Sequence, residues 1–257
     1  MRRCCTVELI AGSAPVVEVD AAVSVLIASP LRLSDAPDAR GIEVVQAKDV
    51  DSEVVGRDEG STSRERPRTE YDSLMDLAFF DRFPVLETER LQMRELLDED
   101  APALFEVLRD EEVTRYYDVD TMAGVAAAVE VIAEMRKRYV DRVGIRWALV
   151  EKGSASLVGT IGFNSINLSA HKCAIGYELA RRVWGQGFAT EAVRAAVRFG
   201  HDEIGLNRIE AAVMLGNEAS VRVLHKAGFK EEGVLRALAY WKGSYHDLRV
   251  FSVLRNA

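Results

Sequence analysis

Gly176-Tyr177-Glu178-Leu179-Ala180-Arg181-Arg182-Val183-Trp184-Gly185-Gln186-Gly187-Phe188-Ala189-Thr190-Glu191-Ala192 is the stretch around which the rest of the chain is read. A β-prone run ends, a loop with two glycines follows, and a helix begins. Ala189, Ala192, Val193, Ala196 and Val197 fall at i, i+3, i+4, i+7 and i+8, which puts them on one apolar helix face. Two glycines permit a tight turn and let a ligand approach the backbone without a Cβ in the way. Free N–H groups at a helix start, with the positive end of the helix dipole, suit an anion. A pyrophosphate is the natural occupant.

Outward from this loop, the pattern predicts a mixed sheet with helices between groups of strands, an α/β layer fold. Upstream, strands are expected over 85–94, 146–150, 157–163 and 174–179. Asp98 is read as the N-cap of a helix over 101–108, and Thr121 as the cap of a long helix through Ala127, Val131, Met135 and Tyr139. Downstream, a helix over 189–199 precedes a strand over 208–214, a helix over 219–226, and strands over 233–241 and 248–254. A dinucleotide-binding fingerprint does not fit. The glycine loop comes late, Thr190 takes the third glycine position, and no acidic residue closes the next strand, which ends at Met214.

Residues 1–74 have a different texture. Short β-prone runs at 16–19 and 21–28 are broken by Asp, Ser, Gly and Pro, and 49–70 holds almost no large apolar residue. Such a segment buries too little surface to offset chain entropy, so it is expected to be a disordered extension. The ordered pattern begins after Met75, itself a plausible alternative start, and 75–257 is the expected domain. The net charge of −8 also divides unevenly, with 9 Lys+Arg against 14 Asp+Glu in residues 1–74 and 24 against 27 in the remainder. The 75–257 region therefore has no basic field for nucleic acid. Cys4, Cys5 and Cys173 make no disulfide framework, and no apolar run is long enough for a membrane span, so a cytoplasmic location is expected. His171, His201, His225 and His246 have no metal-like spacing, and no metal is expected.

In register, Arg182-Val183-Trp184-Gly185-Gln186-Gly187 resembles the Arg/Gln-x-x-Gly-x-Gly/Ala loop by which GNAT acetyltransferases hold the pyrophosphate of coenzyme A. Asn217-Glu218-Ala219-Ser220, Leu224-His225-Lys226-Ala227-Gly228-Phe229 and Glu232-Gly233 resemble the second signature of the subgroup containing the RimJ/RimL ribosomal-protein N-terminal acetyltransferases. The opening Leu86-Glu87-Thr88-Glu89-Arg90-Leu91 and the ending with Gly243, Asp247 and Leu254-Arg255 look similar to the same subgroup. The likeness covers roughly residues 83–256.

This resemblance implies a GNAT-type, mostly antiparallel central sheet flanked by helices, with acetyl-CoA as cosubstrate. Leu179, Ala180, Arg182, Gly185, Gln186, Gly187, Phe188, Ala189, Thr190, Asn217 and Ser220 are the implied cofactor-binding residues. Acetyl transfer to a primary amine is implied, with a protein or peptide N-terminus ahead of a small amine or polyamine. A non-catalytic acyl-CoA-binding domain and a scaffold driven by its N-terminal tail are the competing classes; intact cofactor motifs argue against the second. No nucleic acid or membrane partner is expected, and homodimerisation is left open.

Glu178, Ser220 and Tyr240 are the catalytic candidates. Alternation along 174–180 puts Glu178 among small residues on one face, as a base, an amine anchor or an ordinary ion-pairing carboxylate. The end of that strand is expected to offer N–H groups to the oxyanion. Asn217 is also read as a helix cap, Phe229 as a core residue and Glu191 as a dipole partner. Many family members place a tyrosine four residues before the glycine of the Gly-Phe pair, as acid for the leaving thiolate. Leu224 stands there in this chain, leaving Ser220, Tyr240, Tyr245 or a bound water as substitutes.

Overall fold

The computed structural model describes residues 78–255. The expectations for residues 1–74 and Met75 lie outside the described residues, as do Cys4 and Cys5.

The stretch expected as one strand over 85–94 folds as a small hairpin of β1 (Leu86–Glu87) and β2 (Leu91–Glu95), with Leu86 opposite Met93. Thr88 is the reason. Its N–H donates to the Leu91 carbonyl and its hydroxyl accepts from the Leu91 N–H, both at 2.9 Å. Local bonds of this kind replace a strand ladder with a turn. A 3-10 turn over Asp98–Asp100 then runs into α1 (Ala101–Leu108), so Asp98 is not its cap. Asp98 accepts from Arg136 at 2.7 Å, while Asp100 accepts from the Leu97 N–H at 2.8 Å and pairs with Arg94.

A short α2 (Glu111–Thr114), capped by the Asp110 carboxylate on the Glu112 N–H, was not foreseen. The long helix is α3 (Val125–Val140), preceded by Gly124. Thr121 does not cap it and instead shares a 2.8 Å hydrogen bond with Thr114.

The remaining elements follow the sequence pattern: β3 (Ile145–Glu151), β4 (Ser156–Asn167), β5 (Lys172–Leu179), α4 (Phe188–Asp202), β6 (Arg208–Met214), α5 (Glu218–Lys226), β7 (Lys230–Trp241) and β8 (Ser244–Leu254). They form a sheet in the order β1-β2-β3-β4-β5-β6-β8-β7. All neighbours are antiparallel except β5 and β6. The expected mixed, mostly antiparallel sheet flanked by helices is what forms.

Each face of the sheet carries its own core. Trp147, Ile161, Phe163 and Ile175 pack with α4 residues such as Ala192, Val193, Ala196 and Phe199. On the other face, Ala148, Val150 and Leu157 pack with α1 and α3 through Leu104, Leu108 and Ile132. Full burial of a side chain such as Leu104 or Ile132 contributes about 1.5–3 kcal/mol. Phe229 is buried in the first core, as expected.

One irregularity positions the site. The parallel pairing of β5 with β6 runs only from Lys172–Arg208 to Ala174–Glu210. Beyond Ala174 the two strands part, while β5 stays paired with β4 as far as Leu179.

Candidate active site

Where β5 and β6 part, a cleft of about 360 Å³ opens. Its walls are the end of β5, the loop and first turn of α4, the end of β6, the first turns of α5, and the segment from Glu112 to Tyr117. Nine sequence-predicted residues line it: Glu178, Leu179, Gly185, Gly187, Phe188, Ala189, Thr190, Asn217 and Ser220.

The glycine loop has the geometry its sequence called for. Gly185 and Gly187 adopt φ of 73° and 86°, left-handed conformations that strain any residue with a Cβ. A Cβ built on Gly185 would meet nothing within 4 Å, so that side of the loop is open. Gly187 immediately precedes α4, whose first N–H groups have no intrahelical partner. The Trp184 indole ties the loop back by donating to the Leu179 carbonyl at 2.8 Å.

Ala180, Arg182 and Gln186 are not among the lining residues. Arg182 is turned onto β4, where its guanidinium donates to the Leu157 carbonyl at 3.2 Å rather than reaching toward the loop. The Gln186 amide donates to the Arg182 carbonyl at 2.8 Å. The Ala180 N–H donates to the Val158 carbonyl at 2.8 Å, so it is not free for an oxyanion. Antiparallel alternation turns the Leu179 N–H to the opposite edge, toward β6, past the last β5–β6 pair. Leu179, not Ala180, therefore presents a backbone donor to the cleft.

Asn217 does cap α5, accepting from the Ser220 N–H at 3.2 Å, and both residues line the cleft. Leu224 is buried, so no hydroxyl occupies the position of the family tyrosine. Tyr240 is not brought to the site. It is exposed on the β7–β8 hairpin, 4.9 Å from the more exposed Tyr245 ring, because consecutive residues of an edge hairpin place one side chain in solvent for each one packed.

Glu178 sits in a buried polar cluster. One carboxylate oxygen accepts from Thr160; the other accepts from Arg146 and, at 3.0 Å, from the Tyr117 hydroxyl. Arg146 also donates to Thr160 at 2.6 Å, Asn164 at 3.0 Å and Tyr117 at 3.1 Å. Burial raises the Glu178 carboxyl above its ordinary value, against the pull of Arg146, Thr160 and Tyr117 toward the ionised form. Tyr117 and Arg146 escaped the sequence reading. Arg146 was the available signal, as an arginine inside an otherwise apolar strand.

Beside this cluster, burial pushes the Asp118 carboxyl up to about 7, and its Oδ1 has no hydrogen-bond partner. Tyr177, in the cleft, is pushed up to about 12 by burial, with its hydroxyl 3.5 Å from the Ser220 carbonyl. Among the described residues no group of three His, Cys, Asp or Glu side chains is placed to hold a metal ion. No helix among them is long and apolar enough to cross a membrane.

The cleft thus has the two-glycine loop and helix start at one end and the polar Tyr117–Glu178 cluster at the other, with the Leu179 N–H between them. Residues 90–230 match the family described as acetyltransferase (GNAT) domain. The uncharacterized N-acetyltransferase YoaA of Bacillus subtilis is 40% identical over 173 residues, covering 67% of this chain and 98% of that protein. The [ribosomal protein uS5]-alanine N-acetyltransferase of Escherichia coli is 27% identical, covering 63% of this chain and 86% of that protein. RimJ of Mycobacterium smegmatis, solved in complex with CoA-disulfide, superposes with a TM-score of 0.61 at 21% identity, over 66% of this chain and 87% of that one.

Proposed function

We propose, from the premise that the chain belongs to the GNAT acetyltransferase family and is an acetyl-CoA-dependent N-acetyltransferase, that its acceptor is a weakly basic primary amine at a protein or peptide N-terminus. In this reading the Gly185–Thr190 turn holds the pyrophosphate, and Asn217 and Ser220 face the pantetheine and acetyl region. The acceptor enters at the Tyr117–Glu178 end.

The observation that carries the acceptor assignment is the commitment of Glu178. Both of its oxygens already accept hydrogen bonds from Arg146, Thr160 and Tyr117. A carboxylate so occupied orients a donor better than it strips a proton from a strong base. An α-amine with pKa about 8 is already roughly 10% neutral at pH 7, whereas a lysine amine near 10.4 is almost wholly protonated. The α-amine therefore needs the weaker base. The similarity to the uS5-alanine N-acetyltransferase supports the same class of acceptor.

The step follows from the placement. The neutral amine nitrogen attacks the thioester carbon, and negative charge gathers on the carbonyl oxygen near the Leu179 N–H. An oriented donor of this kind is often worth about 3–4 kcal/mol. The C–S bond then breaks, the amine proton passes to solvent, and the Ser220 hydroxyl or a water protonates the departing thiolate while regaining a proton from that solvent. Buried, unpaired Cys173 is compatible with the reducing cytoplasm that we assign to this enzyme.

The test is an acetyl-CoA turnover assay across α-amino peptides, the same peptides with blocked N-termini and an internal lysine, and polyamines. Preferential acetylation of the free α-amine is expected. Fast turnover of blocked lysine peptides or polyamines, with α-amino peptides inert, would reject the acceptor and leave the family untouched.

A further inference from the structure

The loop that faces the cleft is held from behind by a residue far away in the sequence. Arg90, at the tip of the β1–β2 hairpin, donates through Nη1 to the Gln186 carbonyl at 2.9 Å. Its guanidinium lies 4.2 Å from the centre of the Phe188 ring. Its Nε and Nη2 reach Glu191 Oε2 at 2.7 and 2.6 Å, and its own N–H donates to Glu191 Oε1 at 2.9 Å. The Thr88 hydroxyl adds a fourth donor to Glu191 at 2.6 Å.

Two physical consequences follow. In a trans peptide the C=O and the next N–H point in opposite directions. Fixing the Gln186 carbonyl toward Arg90 therefore aims the Gly187 N–H away from Arg90, and Gly187 lines the cleft. Glu191 also lies in the first turn of α4, where an unpaired carboxylate would compete with an incoming anion for the positive helix end. Paired with Arg90, that carboxylate no longer opposes the ligand.

We infer that Arg90 is a positioning residue for coenzyme A, which orients the Gln186–Gly187 peptide and neutralises Glu191 at the helix start without touching the ligand. The inference rests on the reading of the Gly185–Thr190 turn as the pyrophosphate site. Thr88 and Arg90 give the Leu86–Leu91 motif a role at a loop about 100 residues downstream.

The test uses the full chain and two donors, acetyl-CoA and S-acetylpantetheine, which lacks the pyrophosphate. Arg90→Gln should weaken coenzyme A binding in calorimetry by roughly tenfold, the scale of a lost charge-assisted bond, and raise KM for acetyl-CoA in proportion. Its kcat/KM for S-acetylpantetheine should stay within about twofold of wild type, since that donor makes no use of the loop. Arg90→Lys, which keeps the charge and loses the fork, should fall between. Adding Glu191→Gln to Arg90→Gln should recover part of the affinity by removing the repulsive charge.

Equal losses with both donors would show a general structural defect and overturn the inference, as would unchanged coenzyme A affinity in Arg90→Gln. A double variant as weak as Arg90→Gln would remove the neutralising role. Wild-type protein that bound coenzyme A no better than pantetheine would sink the pyrophosphate site itself, and the inference with it.

Discussion

Arg146 on β3 and Glu178 on β5 pair across a strand that lies between them. Thr160 of β4 hydrogen-bonds to both, and Gly162, opposite Arg146 in the β3–β4 register, lets the β3 backbone at Ile145 and Arg146 approach closely. A Cβ on Gly162 would stand 2.3 Å from the Ile145 carbonyl oxygen and 2.8 Å from the Arg146 Cα. Both charged side chains are almost completely buried, so each depends on the other. Arg146→Met should destabilise the protein by about 3–5 kcal/mol by stranding a buried carboxylate. Arg146→Met with Glu178→Met should regain most of that loss, as read from urea midpoints. A double variant as unstable as Arg146→Met would mean that packing, not charge, dominates the site.

The loop glycines should be intolerant for two separable reasons. Gly185→Ala adds only a methyl group, but at φ 73° it carries backbone strain of about 1 kcal/mol. Gly187→Glu adds comparable strain and a negative charge at the helix start. Coenzyme A affinity should fall modestly in the first and by more than about a hundredfold in the second, when charge repulsion adds to strain. Calorimetry at two salt concentrations separates the terms, because only the charge effect should shrink as salt rises.

Asp118 should make stability fall as pH rises through neutrality. Its folded value of about 7 lies above the ordinary 3.8, so the folded state holds the proton more tightly than the unfolded chain does. That preference is fully present below about pH 4 and is lost as pH rises through 7. Arg146, Glu178, Tyr117 and Lys242 face this carboxyl and set its local field. Asp118→Asn should match wild type near pH 4 and exceed it at pH 8 by on the order of 4 kcal/mol. Thermal unfolding at four pH values from 4 to 8 measures this, and a gap that does not widen with pH would refute it.

Residues 1–74 should be dispensable for acetyl transfer. The proposal rests on the composition of 49–70 and on the span of the family match, which begins at residue 90. A chain starting at Met75 should keep its unfolding midpoint and its kcat/KM within about twofold of the full chain. Aggregation or loss of coenzyme A binding would make this segment a working part of the domain.

Much of this architecture was legible because it depends on local periodicity. The β6 strand and the α4 and α5 helices carry their apolar residues at fixed spacing, and the two-glycine loop announces its left-handed turns. The hairpin at Thr88–Leu91 was hidden because alternation continues through it, and a side-chain hydrogen bond decides the turn. Arg146, Tyr117 and Arg90 were hidden for a different reason. Their partners lie 32, 61 and 101 residues away, and no local pattern encodes such a meeting. Tyr240 stands outside the cleft on the same ground, since its register on the last hairpin was needed to place it. Asp98 and Thr121 looked like caps, but Asp98 accepts from Arg136, 38 residues away, and Thr121 pairs with Thr114 just before the helix, partners that no helix rule weighs.

The brief contact between β5 and β6 has a mechanical meaning. Three residue pairs join a leaf made of β1 to β5 with a leaf made of β6, β8 and β7. A ligand carrying amide groups, lying in the gap beyond Ala174, can offer the rungs that β6 withholds from β5. Bound there, it acts as a wedge and a splint together, holding the leaves apart at one end while stiffening the seam at the other. Amide exchange at Tyr177 and Leu179 should then slow on ligand binding more than anywhere else in the sheet.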